Sequence, residues 1–214
     1  EQLAAIADTG DENGKPLAEQ TARIADALKP LGVRARLPVF ELAAPGLRGL
    51  SEAQREATHA LVNALINADG KVTLAEFVLL TLCRRHLEKP ARGAPPVKHR
   101  SLSDVSRQAG IVLALLARSS RAGEESYTRI MAGLDIKAAK LPAFTLSLVE
   151  AALYELKLLA PLKKPAFIKA CVEIVMADGR ITVTEGELIR AICAALDTPL
   201  PPLAEDAAGW KDAA

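Results

Sequence analysis

Apolar positions recur every three to four residues through most of the chain. That is the period of an amphipathic helix, not the alternation of a strand. Leu61, Val62, Leu65 and Ile66 fall on one such stripe, and Phe77, Leu80, Cys83 and Leu87 on the next. Further along, Phe167, Ala170, Cys171, Ile174 and Val175 form a third, and Leu188, Ile189, Ile192 and Leu196 a fourth. Between the stripes of each pair stands the same polar stretch. It reads Ala68-Asp69-Gly70-Lys71-Val72-Thr73-Leu74-Ala75-Glu76 in the first copy and Ala177-Asp178-Gly179-Arg180-Ile181-Thr182-Val183-Thr184-Glu185 in the second.

The residues of this stretch divide the work of joining two helices. Gly70 and Gly179 accept the left-handed conformation that closes a helix C-terminus. Val72 and Ile181 are apolar plugs that tuck the turn onto a core. Thr73 and Thr182 occupy N-cap positions, and Glu76 and Glu185 follow three residues later. This is the spacing of a capping box, in which hydroxyl and carboxylate satisfy each other's backbone N–H groups. Each copy therefore reads as a helix–turn–helix hairpin that needs no ligand. Ser51, with Gln54 three residues on, carries the same signature.

Elsewhere the pattern predicts a short helix over 16–29 and helices from Ser51 to the first Asp-Gly, over 73–87, over 103–118 and over 124–134. A long helix begins at Pro142 and ends before Pro161, and the second copy follows. Residues 1–15 read as a mobile leader. Residues 36–50, with Pro38, Pro45, Gly46 and Gly49, read as a connector, and 89–100, with three prolines, as a loop. The expectation is an all-α bundle of about eight helices, built on two pseudo-symmetric hairpins that pack as halves of one core. The domain bounds that follow are a segment over 1–50, a helical domain over 51–203 with repeat halves 51–88 and 163–197, and a polar tail over 204–214.

Composition narrows the function classes. Half of the 214 residues are hydrophobic, aromatics make up 3%, and the formal net charge is +1. No global field draws the chain to nucleic acid or an anionic membrane. Cys83, Cys171 and Cys193 are far apart in sequence and lie inside apolar stripes, as buried reduced thiols do. His59, His86 and His99 form no HExxH and no i, i+4 pair, and neither a nucleophile elbow nor a phosphate loop occurs. No catalytic constellation can be named, so the reading is non-enzymatic. No apolar run reaches the ~20 residues of a spanning helix, and the chain reads as a soluble piece.

Asp-Gly followed by Glu also matches the second half of a calcium loop. The first and third loop positions would then be Leu65 and Asn67, or Ile174 and Met176, and these lack the oxygen ligands calcium requires. A weaker form survives: Asp69, Glu76, Asp178 and Glu185 would suit a divalent cation if the two halves brought them together. The alternative is that they are turn and cap residues only.

The doubled Ala-Asp-Gly-x-[Val/Ile]-Thr-x-x-Glu between apolar helices resembles the TerB-like (tellurite-resistance protein B) helical domain over about 51–203. That resemblance implies metal ligation at Asp69, Glu76, Asp178 and Glu185. The wide separation of the copies departs from compact members. A narrower set of matches comprises Leu37-Pro38-Val39-Phe40-Glu41-Leu42-Ala43-Ala44-Pro45-Gly46-Leu47-Arg48-Gly49-Leu50-Ser51, then 64–70, Glu76-Phe77 and 192–203. It is similar to the C-terminal region of bacterial membrane-bound zinc metallopeptidases of the HtpX/Ste type (family M-forty-eight). This implies an accessory region on the cytoplasmic side of an inner-membrane protease, whose HExxH domain holds the zinc. The piece itself would need no cofactor. Its partner would be another protein or its own protease domain.

Overall fold

The computed structural model describes residues 2–7, 14–68, 71–88, 96–120, 123–134, 136 and 140–201. Among these, every regular element is a helix, apart from an isolated parallel bridge between His99 and Leu159. The fold is all-α. The chain divides into two compact units, Glu1–Lys89 and Pro90–Ala214, and each contains one copy of the repeat. The border falls inside the span 51–203 that the repeat suggests as one domain.

In the first unit the helices are α1 (Gln2–Ala7), α2 (Gly14–Leu28), α3 (Arg36–Leu47), α4 (Glu52–Ile66) and α5 (Leu74–Leu87). Two 3-10 turns, Lys29–Leu31 and Val33–Ala35, connect α2 to α3. The core is supplied mainly by α5, which buries Phe77, Val78, Leu80, Leu82, Cys83 and Leu87. Helices α3 and α4 pack against it, and α1 packs on α2 and α4. By contrast α2 covers little of its apolar stripe: Leu17 and Ile24 remain 42% and 52% exposed.

In the second unit α6 (Ser106–Ser119) lies at the centre, and every residue from Ala109 to Ala117 is buried. A helix apolar on all sides has to be surrounded. Here α7 (Gly123–Gly133), α8 (Leu146–Lys157), α9 (Lys164–Val175) and α10 (Val183–Ala195) all pack against it. Gly110 leaves room for the Tyr127 hydroxyl. A Cβ there would meet the Tyr127 hydroxyl at 3.0 Å.

Four expectations are corrected. The connector over 36–50 contains α3. Pro38 stands in its first turn, where no N–H is needed, and Pro45 in its last, so neither breaks it. The leader contains α1, whose Ile6 is buried. Helix α8 begins at Leu146 and not at Pro142, because Thr145 caps it by accepting the N–H of Leu148 at 3.3 Å. Helix α9 ends at Val175, with Met176 as its cap. Gly179 does adopt a left-handed φ of 73°, but it closes the turn beyond the cap.

Candidate functional site

The repeated acidic residues are placed by helix starts. Glu76 Oε2 accepts from the Thr73 N–H at 2.9 Å and the Thr73 hydroxyl at 2.7 Å, while the Thr73 Oγ1 accepts the Glu76 N–H at 3.2 Å. Glu185 repeats this at α10, with its Oε2 2.6 Å from the Thr182 nitrogen and 2.7 Å from its hydroxyl. The Glu76 box opens to solvent, whereas Glu185 is only 2% exposed. Ser51 and Gln54 close a third box at α4. Asp178 is exposed, and its Oδ1 accepts the N–H of Arg180 at 3.1 Å, an Asx-type turn. Asp69 and Gly70 lie outside the described residues.

In each copy, then, one carboxylate oxygen already carries two hydrogen bonds that hold a helix N-terminus. A cation taken at that oxygen would compete with the cap. Among the described residues, no three His, Cys, Asp or Glu side chains are grouped as a metal site.

Two polar clusters lie elsewhere. In the first unit Arg84 of α5 donates to His59 Nε2 at 3.2 Å and to Asn63 Oδ1 at 3.1 Å, both on α4. Burial lowers the Arg84 pKa. In the second unit the segment before α6 is strapped to the end of α8. The N–H groups of Lys98 and His99 donate to the Leu158 carbonyl, and the Ala160 N–H donates back to the His99 carbonyl at 2.8 Å. Glu155 anchors the strap, with Lys98 Nζ at 2.9 Å and His99 Nε2 at 2.7 Å. Hydrogen bonds from Lys98, then from His99, hold the Glu155 carboxyl below its usual range. Both clusters join neighbouring elements.

One lysine and three thiols are also buried. Lys164 is 4% exposed, and its ammonium donates to the Leu196 carbonyl at 2.7 Å, at the C-terminal end of α10. Desolvation lowers its pKa. Cys83, Cys171 and Cys193 are free and buried, and burial raises all three thiols, Cys171 most. Thiols in such surroundings are poor nucleophiles.

One groove of about 390 Å³ lies in the first unit, where α2 passes through the 3-10 turns into α3. Leu28, Leu31, Val33 and Val39 form its apolar lining, and Lys29 and Arg36 also line it. Leu31 and Val33 are 55% and 59% exposed. Gly32 makes the kink possible: its φ of 69° and ψ of 178° belong to a region that only glycine occupies readily. Sequence reasoning missed this groove, taking 30–32 as a helix end. The available signal was a glycine between two aliphatics in a stretch with no helical stripe to join.

No protein-family model, no curated protein and no solved structure matches the chain.

Proposed function

We propose that the chain is a non-catalytic helical interaction module that receives a protein partner. Its setting is the one its resemblance implies, an accessory region of a membrane-bound zinc metallopeptidase. One observation carries the reading: large aliphatic side chains of α2 and the turns after it stay in solvent beside a formed groove. Leaving such a patch uncovered is unfavourable at about 25 cal/mol per Å² of apolar surface, and contiguous exposed patches mark interaction sites. The repeated Thr–Glu motif then belongs to the scaffold, since its carboxylates are engaged at helix starts.

The test is a photo-crosslinking residue placed at position 33 in the intact parent protein, expressed in its own host. A single identified protein, or the parent's own protease domain, should be captured there. The same label at Arg129, exposed on α7, should capture neither. Equal patterns at the two positions would refute the module. Calorimetric titration with calcium, zinc or manganese separates the competing metal-binding reading, which requires binding heat that Glu185→Gln abolishes.

A further inference from the structure

Helix α3 is lightly held. Of its 12 residues only Leu37 and Ala44 are buried, and it packs on α5. One contact between the two helices is made by rings. Phe40 of α3 meets His86, in the last turn of α5, edge to face, with centroids 5.8 Å apart and planes at 65°. Aromatic pairs favour this arrangement, and it adds attraction beyond the area buried. An element that buries so little apolar surface opens locally at small cost, so a single contact weighs heavily in keeping it down.

His86 brings to this contact a side chain whose charge changes between mildly acid and neutral pH. Its surroundings favour the neutral ring. Burial lowers its pKa most, the charges of Arg48, just past α3, and Arg85, on its own helix, lower it further, and Glu41 of α3 opposes them. Arg85 also lies 3.7 Å from Glu88. From α4, Arg55 reaches this corner by donating to the Arg48 carbonyl at 2.8 Å, and His59 is bonded to Arg84. Protonation therefore places a charge in a half-buried contact, near a cation from each side of the interface.

We propose that His86 is an acid-sensitive pin: its neutral ring holds Phe40 and keeps α3 on α5, and its protonation releases α3. The sign follows from linkage. A folded pKa below the unfolded one means that the unfolded form takes the proton more readily. The hold is therefore complete above the ordinary histidine value and is lost as pH falls through the folded pKa. Because α3 supplies Val39 to the groove lining, acid withdraws Val39 from the groove as well. The pin does not depend on what the groove receives.

The experiment uses the full chain. Hydrogen–deuterium exchange over 36–47 is measured at about pH 7.5 and about pH 5, on either side of the histidine titration, and corrected for the intrinsic amide rate. Protection of α3 should fall by about threefold or more at the lower pH. Ala109 to Ala117 of α6 should keep theirs. His86→Gln cannot take the charge and should give equal α3 protection at both pH values. By NMR, the His86 ring should titrate below the ordinary histidine value. Arg48→Gln should raise that midpoint, and Glu41→Gln should lower it.

Unchanged α3 protection at the lower pH overturns the pin. So does a pH effect that survives in His86→Gln, which would assign it to another group such as Glu41 or Glu88. A midpoint at or above the ordinary histidine value, the result of cation–π attraction to Phe40, overturns it too. Should His86→Gln fail to fold, the titration decides alone: a midpoint that Arg48→Gln leaves in place overturns the pin, and one that it raises supports it.

Discussion

At the scale of single residues, the two capping boxes share their chemistry and differ in their surroundings. Thr182→Ala removes the hydroxyl that accepts the Glu185 N–H and should cost about 1 kcal/mol, read from urea unfolding. Glu185→Gln should cost less, because an amide oxygen can still accept from Thr182. If Glu185→Gln unfolds the chain instead, the negative charge itself matters and the cap account is incomplete. Glu155 gives a pH prediction. Its carboxyl titrates below the usual range when folded, so the unfolded chain binds the proton more readily. The stability it contributes is therefore complete at neutral pH and is lost as pH falls through the folded pKa. Glu155→Gln should flatten that part of an acid-unfolding curve. Asp104, lowered by its bonds to Ser101, should keep its own share.

At the scale of elements, helices were legible where a local signal sufficed. The three-to-four spacing marks α4, α5, α9 and α10, and Ser51, Thr73 and Thr182 mark where three of them start. Proline misled twice. Pro38 and Pro45 suggested a connector, but both fall in terminal turns of α3, and Pro142 suggested a helix start that Thr145 supplies three residues later. The groove was illegible for another reason. It depends on which faces of α2 and α3 are left uncovered, and burial is decided by tertiary packing that no local period encodes. Two substitutions test these elements. Leu113→Ala, in the buried centre of α6, should destabilise by about 2–5 kcal/mol in calorimetry or urea unfolding. Gly32→Ala has open space for its Cβ and still should cost about 1–3 kcal/mol, because alanine cannot hold that backbone without strain. A neutral result at position 32 would mean that the kink relaxes.

At the scale of the whole molecule, all-α architecture was readable from period and composition, whereas the number of compact units was not. The repeat invites the eye to pair its copies, yet each copy sits in a unit with its own core. Each hairpin finds its packing partners within its unit: α3 and α1 for the first, α6 and α8 for the second. Residues 90–214 expressed alone should therefore melt cooperatively with a helical circular dichroism spectrum. A broad, non-cooperative melt would show that the second unit depends on the first. No helix among the described residues is long and apolar enough to cross a membrane. The sheathing of α6 has a further consequence. Its backbone amides can meet deuterium only when the surrounding helices come away together, so the slowest-exchanging protons of the second unit should lie between Ala109 and Ala117. Their exchange rate would act as a built-in gauge of that unit's global opening, readable in the intact chain without denaturant.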